Sequence, residues 1–336
     1  MQLNVKGILP VLSLVVFTQS LPAPLVWRPG EGISYEQGNA KDGGTVAESS
    51  REQFEYASSL EAQGKYKEAR AAYSALVRRW PFSFFADDAQ FKIGWCLEKL
   101  GDFDRAFNAY QVVVDKYPGS EYFEQSIERQ FAIANAYFAG EPQRVLNVPL
   151  PPSFERTIKK YQQIIKNAPH GRLAPAAQLR IGMCYQAMRR WSLAVDSFQK
   201  VIDYYYNSEE IDDAYYQIAA SWFNASNESG YDAAAAEKAY DAFRDFLRLF
   251  PNSELAPQAR ENLNAIQARQ SEGTLGIARF YESQKKWNAA EIYYNEVISR
   301  FPESQDANYA RERLVAIQQL TKQKEEYLQR APTSCG

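Results

Sequence analysis

The chain has 336 residues, 46% hydrophobic and 24% charged, with a formal net charge of -3. That balance excludes a disordered or collagen-like chain, and the scattered basic residues leave no footprint for nucleic acid. Cys96, Cys184 and Cys335 are too few and too dispersed for a disulfide framework or a zinc site. With His170 as the one histidine, no catalytic triad or metal pair can be assembled, so the inventory predicts a chain that is not an enzyme and needs no cofactor or metal.

Residues 1–23 read as an export signal. Lys6 precedes the apolar run Ile8–Phe17, which is too short to span a bilayer, and small and polar residues follow as far as Ala23. No cysteine follows that run before Cys96, so the reading holds no acceptor for a lipid anchor. Residues 24–50 carry Gly30, Gly32, Gly43 and Gly44 without an apolar period and read as a flexible lead-in.

From residue 51 the chain repeats itself. A small residue, then Gly-x-aromatic, alanine, aromatic, apolar and proline, gives Ala57, Gly64, Tyr66, Ala69, Tyr73, Leu76 and Pro81. The same pattern returns 37 residues later as Gly94, Gly101, Phe103, Ala106, Tyr110, Val113 and Pro118. It recurs as Gly182, Trp191, Ala194, Phe198 and Val201, and as Ala278, Trp287, Ala290, Tyr294, Val297 and Pro302. Two further units are interrupted. Ala134 and Tyr137 are separated from Tyr161, Ile164 and Pro169 by the proline-rich insert 140–153. Ala219 and Trp222 are separated from Ala239, Phe243, Phe246 and Pro251 by a predicted loop, Asn224–Tyr231.

This spacing is that of tetratricopeptide repeats, helix pairs that bury their apolar faces only against neighbours. It predicts an all-α, right-handed superhelical solenoid of about six pairs, with N-terminal repeats over 51–170 and C-terminal repeats over 171–330. A separate helix is expected over Pro251–Gln270, and a polar capping helix from Asp306. Gly94 and Ala106 are expected to be the small-residue pair that lets two helices approach, so a larger residue at Ala106 or Ala290 should overpack. Cys96 and Cys184 read as small buried thiols, and Met183 as core filler. Tyr204-Tyr-Tyr206 takes the place of a terminating proline and reads as core sooner than as a sticky ridge.

First helices of such repeats line a concave groove. Reading their fifth position gives Phe54, Phe91, Phe131, Leu179, Tyr216 and Leu275, and four positions further lie Ser58, Trp95, Asn135, Met183, Ala220 and Arg279. The predicted peptide-binding groove is therefore Phe54, Phe91, Trp95, Phe131, Asn135 and Tyr216, aromatic and apolar, and suited to an extended apolar peptide or a partner helix.

Phe250-Pro-Asn-Ser-Glu-Leu-Ala-Pro-Gln-Ala-Arg260, Ile277-Ala-Arg-Phe-Tyr281, Trp287-Asn-Ala-Ala290 and Arg300-Phe-Pro-Glu-Ser304 resemble the outer-membrane assembly lipoprotein BamD family, as does Trp80-Pro-Phe82 with Ala89-Gln90. The resemblance implies a scaffold in the periplasm, or on the periplasmic face of the outer membrane. Its partners would be the β-barrel assembly machinery and unfolded outer-membrane proteins, and its membrane contact indirect. The third and fourth units read as additions to that family's five-repeat plan. The alternative reading is another periplasmic repeat adaptor, for example in cell-wall synthesis or division.

Overall fold

The computed structural model describes residues 25–28, 32–35, 44–141, 143–145, 148–150, 153–228 and 232–330. The predicted export signal and Cys335 lie outside them. Thirteen helices are described: α1 Ser50–Ala62, α2 Tyr66–Arg79, α3 Ala86–Lys99, α4 Phe103–Lys116, α5 Tyr122–Phe138, α6 Phe154–Asn167, α7 Ala174–Ala187, α8 Trp191–Tyr204, α9 Ile211–Asn227, α10 Ala233–Leu249, α11 Ala256–Ser283, α12 Trp287–Arg300 and α13 Gln305–Arg330. They form two compact units, the first comprising residues 1–129 with Arg144–Leu150, the second Gln130–Gln143 with residues 151–336. The division falls within α5.

In both units the helices follow one another as antiparallel pairs, the tetratricopeptide arrangement. The residues that define the repeat in the sequence are its core. Ala57, Ala69, Tyr73 and Leu76 in the first unit, and Ala194, Phe198, Ala239, Phe243, Ala290 and Tyr294 in the second, are fully buried. Gly94, expected to oppose Ala106, instead meets the ring of Tyr110. A Cβ at Gly94 would fall 2.6 Å from that ring, and one at Gly182 would fall 2.4 Å from Phe198. The rule is thus one small first-helix residue against one second-helix ring. Tyr110 is fully buried and cannot swing aside.

Links within pairs need a left-handed residue, supplied by Gly64 (φ 73°) and Gly101 (φ 71°), but by Arg189 (φ 56°) and Lys285 (φ 57°) in later pairs. Links between pairs reuse one turn. Ser83, Ser120, Gly171, Ser208, Ser253 and Ser304 each donate a backbone N–H to the carbonyl three residues back.

Several elements depart from the sequence reading. The lead-in holds a hairpin, β1 Leu25–Arg28 antiparallel to β2 Gly32–Tyr35, with Leu25 opposite Tyr35. The insert holds another, β3 Gln143–Val145 with β4 Val148–Leu150. Helix α9 runs through Asn224 to Asn227, where a loop was expected, because Ser226 Oγ and Asn227 Nδ2 both donate to the Phe223 carbonyl at 2.7 and 2.9 Å. The two helices expected around Gln270 are one, α11, 28 residues long: no proline interrupts it after its first turn, and Ile266, Ser271 and Leu275 are buried along it. Helix α13 caps the second unit through Ala307, Ala310, Leu314 and Ile317, which join the α11–α12 core.

Candidate functional site

The fifth-position residues of the first helices turn into the interhelix core. Phe54 lies 5.5 Å from Tyr73 and 5.2 Å from Phe85 between ring centroids. Phe91, 9% exposed, packs on Tyr110 and stacks on Tyr122 at 4.8 Å. Phe131 meets Tyr161 at 5.8 Å, and Tyr216 meets Phe243 and Phe246 at 5.8 and 5.7 Å. Leu179 and Leu275 are buried. Each of the four rings meets a second-helix aromatic of its own pair. Phe91 is buried and belongs to the core, while Phe54, Phe131 and Tyr216 are half-buried, packed on the core with part of their surface open.

Four positions further, the row reaches the surface. Ser58 Oγ lies 3.0 Å from Tyr73 Oη, and Asn135 Oδ1 accepts from Tyr161 Oη at 2.7 Å. Trp95 is half-buried under two cations, with Lys99 Nζ 4.3 Å and the Arg129 guanidinium 5.5 Å from its ring centroid. In the second unit Met183 and Ala220 line an open depression of about 400 Å³ with Phe138, Trp191, Gln186 and Gln217. Arg180 lies over the Phe138 ring at 5.3 Å.

Polar side chains join successive first helices beside this row. In the first unit Glu61 accepts from Tyr73 Oη at 2.8 Å and from Lys92 Nζ at 3.2 Å, and Glu98 accepts from Arg129 Nε and Nη2 with its two carboxylate oxygens. Near the C-terminus of the second unit Glu282 likewise binds Tyr294 and Arg313. Burial tends to raise the Glu282 pKa, but the hydrogen bonds from Arg313 and Tyr294 outweigh it and hold the carboxyl below the ordinary glutamate value. At the depression the carboxylate of the ladder is replaced by an amide and a cation stays: Arg180 lines it with Nη1 3.5 Å from Met183 Sδ, and Trp191 Nε1–H donates to the Glu228 carboxylate. Gln186 Nε2 donates to Gln217 Oε1 at 3.0 Å and to Ser221 Oγ at 2.9 Å, with the 31-residue offset that separates Glu98 from Arg129. The Met183 surface is therefore apolar, with amides at one edge and the Arg180 guanidinium beside it, able to hold an extended chain by side-chain burial and by hydrogen bonds from the amides and the guanidinium.

Sequence reasoning counted Met183 and Ala220 in this row but read Met183 as core filler and left both out of the predicted groove, as it did Phe138, Gln186, Trp191 and Gln217. The signal for Gln186 was present, because it stands in register with Glu98 one helix turn before the link. A second set was missed as well. Gln53, Gln90 and Gln178, each just before a fifth-position residue, donate to second-helix carbonyls of Ala72, Ala109 and Ser197 at 3.1, 2.9 and 2.9 Å.

Cys96 and Cys184 are fully buried free thiols, and burial pushes their pKa up to about 11 and about 12, which makes them poor nucleophiles. Among the described residues no group of three His, Cys, Asp or Glu is placed to hold a metal, and no helix is long and apolar enough to cross a membrane.

The YfiO family of outer membrane lipoproteins matches residues 151–331, more than half of the chain, and a tetratricopeptide repeat model matches residues 54–121. The chain belongs to the YfiO family. Similar relatives include the outer membrane protein assembly factor BamD of Rickettsia prowazekii (strain Madrid E), 23% identical over 48% of this chain and 64% of that protein. Another is BamD of Caulobacter vibrioides (strain ATCC 19089 / CIP 103742 / CB 15), 22% identical over 44% of this chain and 48% of that protein. The chain thus spans about half to two thirds of the length of these relatives. A solved structure of the C-terminal part of a TPR repeat-containing protein from Cytophaga hutchinsonii is 15% identical, covers 79% of this chain and 88% of its own, and has a TM-score of 0.37. The YfiO match takes in every described helix of the second unit from α6 onward, and with it most of the depression around Met183.

Proposed function

We propose that this YfiO-family chain is a non-catalytic, exported scaffold at the periplasmic face of the outer membrane, which holds extended segments of β-barrel proteins during their assembly. The observation that carries the reading is the largely apolar wall of the second unit: Met183, Phe138 and Trp191 with Gln186, Gln217 and Arg180 at its edge. A barrel strand alternates apolar and polar side chains along a backbone rich in hydrogen-bonding groups, and such a wall accepts both features. BamD relatives are named as assembly factors, which agrees with this client. Membrane contact through partners fits the want of a spanning helix among the described residues.

A photoreactive benzoylphenylalanine at position 183, in the full chain in its native envelope, tests the proposal. Light should yield adducts with unfolded barrel precursors. Adducts with peptidoglycan-synthesis proteins alone would reject it in favour of a cell-wall adaptor. Trp95, whose ring is clamped by Lys99 and Arg129, is a subsidiary contact in the first unit, and Trp95→Ala should weaken binding of an aromatic-ended barrel peptide less than Met183→Asp does.

A further inference from the structure

The turn after α8 breaks the pattern of every other inter-pair turn. Elsewhere proline follows the helix cap, at Pro81, Pro118, Pro169, Pro251 and Pro302. That proline keeps the preceding residue out of the helical region, with φ from -127° to -142° at Trp80, Tyr117, Ala168, Phe250 and Phe301. Tyr206 stands in its place, yet Tyr205 keeps φ -131°, and the Ser208 N–H still donates to the Tyr205 carbonyl at 2.9 Å. The turn is made without the residue that pre-organises it. Tyr206 offers no packing in exchange, being 69% exposed.

Two more positions depart in the same turn. Tyr204, 72% exposed, takes the place of Arg79, Lys116, Asn167, Leu249 and Arg300, so the expectation of core burial fails for both rings. Glu210 stands where four of the other five turns carry Phe85, Tyr122, Leu173 or Leu255, of which the first two stack on first-helix rings. The three departures converge on one open cleft of about 640 Å³, lined by this turn and the turn before α7. Glu209 lies in the same cleft, and the buried Ser208 Oγ at its lining has no hydrogen-bond partner. Arg172 is the one Lys or Arg there. Asp213, in the first turn of α9, has its pKa raised by burial and then by the nearby Asp212 and Glu210, a sign of crowded negative charge.

Exposed phenol faces beside two carboxylates, with one guanidinium in the cleft to set against them, attract a cation on two counts, through the ring quadrupole and through charge-assisted hydrogen bonds. We propose that Tyr204, Tyr206, Glu209 and Glu210 form a docking site for a basic, Lys/Arg-containing segment of a partner protein. None of these residues lines the depression around Met183, so the site is additional to the client-binding surface.

The test is fluorescence anisotropy of the full chain with a labelled Arg/Lys decapeptide, its Glu counterpart and a chitin oligosaccharide. The basic peptide should bind, more tightly at low salt, and the other two should not. Tyr204→Ala/Tyr206→Ala should weaken binding by about tenfold with every charge retained. Glu209→Gln/Glu210→Gln should weaken it and flatten its salt dependence. Tyr206→Pro restores the repeat pattern, so it should keep or raise the melting temperature while binding falls. Unchanged affinity in the tyrosine variants would overturn the proposal, since it would leave only general attraction to an acidic chain. Binding of the neutral oligosaccharide in preference to the basic peptide would overturn it as well.

Discussion

Gly94 and Tyr110 show how a single hydrogen atom sets a helix spacing. Alanine favours a helix by about 1 kcal/mol over glycine, so Gly94→Ala would stabilise an isolated α3. Here the added methyl meets a ring that has no room to move. Overpacking costs of about 1–3 kcal/mol offset that gain, and Gly94→Ala should lower stability by up to about 2 kcal/mol in urea melts. Asp88 makes a prediction of opposite kind. Burial pushes its carboxyl up to about 6, partly offset by Lys92, and its Oδ1 is buried without a hydrogen-bond partner. A folded-state pKa above the unfolded one means that the native state binds the extra proton, so stability falls as pH rises from about 4 toward 6. Asp88→Asn removes that penalty. It should raise the melting temperature at pH 7.5, and the gain should vanish below about pH 4. At this scale the core was legible and the chemistry was not. Ala, Gly and aromatic spacing reports packing directly, whereas the recurring glutamines Gln53, Gln90 and Gln178 do not by their type reveal that each reaches a carbonyl 19 residues on.

Helices were legible wherever proline and the small-aromatic pattern punctuate the chain. Their ends were misread where polar residues bond back into the helix, as Ser226 and Asn227 do at the end of α9. Short strands were missed in the lead-in and the insert because glycine and proline mark where a helix ends without specifying the next element. Helix α11 was read as two because the repeat pattern that begins at Ala278 marks a new unit, which left Pro251–Gln270 as a helix of its own. Its continuity comes from burial of Ile266, Ser271 and Leu275 on one face, while a Cβ at Gly273 would meet nothing within 4 Å. Open space changes the sign relative to Gly94. Gly273→Ala should stabilise the chain by about 0.5–1 kcal/mol, read from chemical denaturation. A loss of stability there would mean that α11 must bend at this point.

Repetition of one plan along the chain would give a uniform surface, so specificity has to come from positions where a repeat abandons its own rule. Glu61, Glu98 and Glu282 close the polar ladder with ion pairs, whereas at Gln186 it runs from amide to amide beside Met183. Restoring the rule therefore tests whether the departure serves binding. Gln186→Glu with Gln217→Arg would recreate the Glu98–Arg129 pair at the same 31-residue offset. A partly exposed ion pair alters stability by only about 0–1 kcal/mol, so the fold should persist. The wall, however, would exchange two amides that can turn toward a client backbone for a closed pair that cannot. Affinity for an aromatic-ended barrel peptide should drop by about tenfold, about 1.4 kcal/mol, with helicity unchanged by circular dichroism. Equal affinity in the charged variant would show that the client does not use this edge, and the depression around Met183 would lose its claim to be the binding wall.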